Sequence, residues 1–144
     1  MKILNLFFKS ATYLAVSCWM LLIVFPGFTY SNQYIILIIV ASLATLYGYL
    51  LFFRKNHDDT IYSKGNFSTL QGVSNLFLNP KVVLIGWIHY LAFDLMVGLY
   101  IKQEATTLGM SHWLQIPCFI LTLVFGPLGL LLFFILRFTL FQNL

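Results

Sequence analysis

From Val82 to Ile101 the chain reads VVLIGWIHYLAFDLMVGLYI, twenty residues of membrane-span composition broken by two ionisable side chains, His89 and Asp94. About 20 apolar residues carry a helix across the hydrocarbon core of a bilayer, so this run predicts a transmembrane helix. At ~1.5 Å rise per residue, His89 lies roughly 10 Å into the span and Asp94 roughly 18 Å. Neither side chain reaches water easily from there. An ionisable group at bilayer depth costs several kcal/mol and normally faces a bundle interior or a cavity, which makes it a functional-site candidate.

The rest of the chain follows the same pattern. Hydrophobic residues make up 60% of the sequence and charged residues only 8%, against about 25% charged in a soluble domain. Four apolar runs predict spans at about 5–25, 34–53, 82–101 and 114–136. The expected architecture is therefore all-α, a four-helix transmembrane bundle in which residues 1–144 form one integral membrane domain. A first run preceded by Lys2 and Lys9 also fits a signal peptide, but it ends at Phe25-Pro26-Gly27 without a small-x-small cleavage site, and retention is expected.

The net charge of +4 does not point to nucleic acid, because of where the charges stand. With four spans, Lys2, Lys9, Arg54, Lys55, Lys64, Lys81 and Arg137 share one side and Lys102 alone stands on the other. That positive-inside bias places both termini in the cytoplasm. Cys18 and Cys118 fall inside predicted spans, without metal-ligand spacing, and read as small apolar residues.

Between the spans, the stretch NFSTLQGVSNLFLNP repeats Phe67, Leu70, Val73, Leu76 and Phe77 at helical spacing. It predicts a short interfacial amphipathic helix at about 66–78, with an irregular loop as the alternative. In the second span, Ala44 and Gly48 form a small-xxx-small pair suited to close helix packing. In the fourth, Pro127 between Gly126 and Gly129 predicts a kink or local unwinding. The backbone carbonyls it frees must find donors on a neighbouring helix or a bound group.

On a 100° helical wheel, Trp87, Tyr90, Asp94 and Gly98 share one face of the third span, and His89, Phe93, Met96 and Tyr100 share another. Tyr90 and Asp94 are spaced i, i+4 and can hydrogen-bond. His89 and Asp94 are five apart, about 140° round the helix, and do not pair directly. A neutral His89 tying two helices together is the plain alternative to a chemical role. Asp94 is harder to explain structurally, because a carboxyl in lipid must be protonated, paired or wet, and no Lys or Arg at bilayer depth is available to pair with it. His57 and His112 read as loop residues. The sequence has no phosphate-binding glycine loop, HExxH, CxxC or Ser-His-Asp spacing, so neither a metal nor another cofactor is expected. What remains is acid–base chemistry or binding on a lipid-soluble molecule.

The run from Gly65 to Ile101 resembles the neoxanthin synthase-like, or abscisic-acid-deficient-four-like, membrane proteins. Their pattern has a GWxHYLAFDLxVG core, matched by Gly86, Trp87, His89, Tyr90, Leu91, Ala92, Phe93, Asp94, Leu95, Val97 and Gly98. The FGPLGLLLF segment with Gly126, Pro127 and Gly129 is similar to the family's last helix. Plant members are associated with converting violaxanthin to neoxanthin, a redox-neutral opening of an epoxide that leaves an allene. The resemblance implies a cofactor-free isomerisation of a carotenoid or related isoprenoid, with His89 and Asp94 as the acid–base pair. It also implies that Tyr90 orients Asp94 and that Trp87 stacks on a polyene, with Trp87, Tyr90, Phe93 and Gly98 as the expected substrate contacts. The chain lacks an organelle-targeting leader of the plant kind, so a bacterial cytoplasmic membrane is the expected location. A non-catalytic membrane subunit or assembly factor, binding a pigment or a partner protein, is the alternative. Transport through an Asp94-centred cavity is a third reading, less supported without an internal repeat.

Overall fold

The computed structural model describes residues 2–27, 33–52 and 65–141. Among them, six helices and no strand occur: α1 (Lys2–Val24), α2 (Gln33–Phe52), α3 (Leu70–Phe77), α4 (Pro80–Thr107), α5 (His112–Phe125) and α6 (Pro127–Leu140). Three of them, α1, α2 and α4, are long and apolar enough to cross a membrane. The chain is a membrane protein. Arg54, Lys55, His57 and Lys64, which the sequence places on the cytoplasmic side, lie outside the described residues.

Local signals set the helix ends. Thr69 caps α3, its hydroxyl accepting from the Gly72 amide at 3.0 Å. Asn66 Oδ1 in turn accepts from the amides of Ser68 and Thr69. The amphipathic helix expected over 66–78 is therefore shorter, because its first four residues form the cap. Asn79 caps α4, and Pro80 opens it, where a missing N–H costs nothing. At the other end Gly109 takes φ +65°, while the amides of Gly109 and Met110 bond back to Thr106 and Ala105, a Schellman stop. Between these ends α4 runs 28 residues, about 42 Å, and packs against every other helix.

Two hydrogen bonds fix the direction of α1 relative to α4. Trp87 Nε1 donates to Thr12 Oγ1 at 2.9 Å, and Lys102 Nζ donates to the Pro26 carbonyl at 3.2 Å. The sequence separation is 75 in one and 76 in the other, so the two helices run parallel. Lys102 is only 6% exposed. Together with His112, whose Nε2 donates to the Ile23 carbonyl at 2.9 Å, it satisfies carbonyls that the end of α1 leaves open. His112 is thus not a plain loop residue but a cap supplied by α5. From α2, Ile36, Leu43 and Leu50 enter the core, every seventh residue. Ala44 is exposed and a Cβ on Gly48 would meet nothing within 4 Å. The small-xxx-small pair makes no close approach among the described residues.

The single fourth span expected over 114–136 is not formed. The run divides at Gly126, whose φ of +54° and ψ of −98° end α5, and α6 turns back beside α5 instead of continuing. Gly129 packs directly on Thr122 and on the Cys118 backbone, contacts that a continuous helix would hold about 10 Å or more apart. Farther along α6, Phe133 and Phe134 meet Tyr100 edge-on. Arg137 Nη1 bonds Glu104 Oε2 at 2.7 Å. Arg137 therefore lies at the level of the end of α4, the side on which the charge pattern had placed Lys102 alone, and not at the level of Lys2. The bundle is three long helices plus a helical hairpin, with the start of α1 and the end of α6 at opposite ends. Proline and a glycine at positive φ account for the break; a glycine without a side chain at position 129 accounts for the tight return.

Candidate functional site

The hairpin tip meets α4 at Asp94. A Cβ added to Gly126 would stand 3.1 Å from Asp94 Oδ1, so the tip backbone lies directly on the carboxyl. Asp94 is 9% exposed, and its Oδ2 is buried without a hydrogen-bond partner. Among the described residues it takes part in no salt bridge.

One turn earlier on the same face, the Tyr90 hydroxyl donates to the Leu123 carbonyl at 2.9 Å. That carbonyl lies in the last turn of α5, and the residue four positions on is Pro127, which has no N–H to offer it. The freed carbonyl expected from the proline is thus found, and Tyr90 is its donor. Asp94 remains the polar neighbour of the Tyr90 hydroxyl.

A further turn back, the Trp87 ring stacks on Tyr90 at 5.5 Å between centroids and meets Phe8 of α1 at 5.4 Å. Trp87 also lines a mainly apolar groove of about 330 Å³ with Leu4, Phe8, Leu78, Val83 and Leu84, and with Asn5 as its polar side chain. Phe8, Trp87 and Tyr90 therefore form an aromatic column from this apolar groove toward the buried carboxyl, about 10 Å along α4 from Trp87 to Asp94.

Gly98 completes the inward face, but the space beside it is already filled. A Cβ there would stand 2.7 Å from Cη2 of Trp19, so the α1 indole covers it. The second stripe points outward: Phe93 is 62% exposed, and His89 is exposed as well. Their rings stack at 4.4 Å, and Tyr47 of α2 lies 5.8 Å from His89. The structure thus brings Trp87, Tyr90 and Asp94 together and leaves His89 and Phe93 on the other face. His89 and Asp94 do not form a pair. Leu123 and Gly126 escaped the sequence reading as site elements because both act through backbone; the FGPLG break was the signal.

Cys18 and Cys118 are buried and free. Among the described residues no group of three or more His, Cys, Asp or Glu side chains comes together. Around Asp94 the fold brings together one buried carboxyl, one phenol and the backbone of the hairpin tip, a set of groups able to hold or move a single proton.

A protein-family model described as ABA DEFICIENT 4-like matches residues 6–133, from α1 into α6. No curated protein and no solved structure matches the chain.

Proposed function

The chain belongs to the ABA DEFICIENT 4-like family, and we propose that it binds and isomerises a carotenoid or related isoprenoid within the membrane, using Asp94 as its acid and base. The observation that carries this reading is a buried carboxyl whose Oδ2 has no partner, set at the end of an aromatic column. The Asp94 hydroxyl protonates an ether or epoxide oxygen of the ligand, and the C–O bond breaks. The carboxylate then takes a proton from an adjoining carbon, whose C–H electron pair becomes a new C=C bond. Atoms and electrons balance, the carboxyl is regenerated, and neither metal nor nucleotide enters. One residue in both roles suits a site from which His89 is absent. Trp87 and Tyr90 offer ring faces to a polyene, and the outward His89–Phe93 stack offers a flat contact to one approaching through lipid.

General acid–base catalysis by a positioned group contributes about 10²–10⁴-fold. Asp94→Asn keeps the size of the side chain and removes the acid. Expressed with candidate carotenoids, this variant is expected to insert, fold and retain pigment while turnover falls at least ~10²-fold. Unchanged turnover would remove Asp94 from the mechanism.

One observation favours a second reading, a non-catalytic subunit. His89 stands on the outward stripe of α4, where lipid offers an imidazole no partner and a neighbouring membrane helix would. Under that reading the protein copurifies with a stoichiometric protein partner, His89→Phe releases it, and no carotenoid is converted.

A further inference from the structure

We infer that Tyr90 is a positioning residue that holds Asp94 as the hydrogen donor of the pair, in its neutral acid form, so that the site selects an uncharged, oxygen-bearing lipid. The inference deepens the proposed function and rests on it for its chemical consequence.

A phenol has one hydrogen to donate. In this protein that hydrogen goes to the Leu123 carbonyl. The break at Gly126 makes this carbonyl unusual: one residue earlier, the Thr122 carbonyl is served by the Gly126 amide at 2.8 Å, whereas Leu123 faces a proline and needs a donor from another helix. With its hydrogen committed, the Tyr90 oxygen has only lone pairs for the neighbouring carboxyl. Asp94 bonds to it only by donating, and it donates only when protonated.

The opposite arrangement is worse on two counts. Turning the Tyr90 hydroxyl toward an Asp94 carboxylate would leave the Leu123 carbonyl without a donor in apolar surroundings. It would also leave a charge for which the described residues provide no salt bridge. The first arrangement satisfies two acceptors with two hydrogens and buries no charge. Pro127 therefore acts on Asp94 through two intermediaries, the Leu123 carbonyl and the Tyr90 hydroxyl. A ligand hydroxyl, carbonyl, ether or epoxide oxygen that reaches the site takes over the single Asp94 hydrogen from Tyr90, whereas a carboxylate has no hydrogen to give and would select a cationic lipid or an amine.

Infrared spectroscopy of the full chain in phosphatidylcholine vesicles, with no ligand added, tests this. Wild type is expected to show a carboxylic-acid C=O band that shifts in D2O and is missing from Asp94→Asn. In Tyr90→Phe the band should persist and move to higher frequency, because the acid has lost its acceptor. Should Tyr90→Phe not fold, fluorotyrosine incorporated throughout the chain weakens the same acceptor and must move the same band. A carboxylate at Asp94 in wild type, or a band that ignores position 90, overturns the inference. The two ideas fail separately: these bands without carotenoid conversion sink the isomerase reading alone, and conversion by a protein with ionised Asp94 sinks this one alone.

Discussion

Asp94 and Gly126 lie so close that a side chain between them would crowd the carboxyl: a Cβ at position 126 would stand 3.1 Å from Asp94 Oδ1, on a backbone with φ of +54°. The contact joins the buried acid to the turn that sends the chain back on itself, so site and topology depend on the same glycine.

Gly126→Ala is therefore expected to lose stability for two reasons, backbone strain of about 1–3 kcal/mol and crowding of the carboxyl. Gly109 provides the control, since its φ is +65° but a Cβ there would meet nothing within 4 Å. Gly109→Ala carries only a left-handed backbone cost of roughly 1–2 kcal/mol. Thermal unfolding in detergent should rank wild type above Gly109→Ala and Gly109→Ala above Gly126→Ala. Equal losses would mean that Asp94 does not rest on the hairpin tip.

The Glu104–Arg137 bond makes a prediction about topology. Cys18 and Cys118 are both buried, so a membrane-impermeant thiol reagent should report only on cysteines placed at exposed positions. Cysteines at Thr139 and Ser111 are expected to label from the same side of the membrane, and a cysteine at Ser68 from the other. Labelling of Thr139→Cys together with Ser68→Cys would instead restore a fourth span and refute the hairpin.

Gly98 separates packing from ligand contact. An added methyl would stand 2.7 Å from the Trp19 ring, and overpacking of this kind costs about 1–3 kcal/mol. Gly98→Ala should lower the unfolding temperature, and Trp19→Phe should recover part of that loss by making space. A variant with unchanged stability but weakened pigment retention would return Gly98 to the ligand site.

Much of α4 was legible before folding. Helical period alone divided Trp87, Tyr90, Asp94 and Gly98 from His89, Phe93, Met96 and Tyr100, and the first set is buried or half-buried and the second exposed. A straight helix preserves angular relations wherever it packs, so the wheel needed no tertiary information. The same spacing separated His89 from Asp94, and the structure keeps them apart. The break at FGPLG was equally legible, because proline lacks a donor and must free a carbonyl whatever surrounds it.

What followed the break was not. Hydropathy measures how long an apolar run is, not which way it travels after a turn, so residues 114–136 read as one span although they hold two arms of a hairpin. Direction was decided by contacts distant in sequence: Gly129 against the Cys118 backbone, Tyr100 against Phe133, and Arg137 on Glu104. The fate of Gly98 was decided the same way, since only packing brings Trp19 over it. Sequence by itself determined the membrane class, the helix faces and the position of the break, because these depend on composition and on spacing within one helix. Tertiary structure alone decided the return of the last segment and the donor to Leu123, because both are choices between partners that no local pattern encodes.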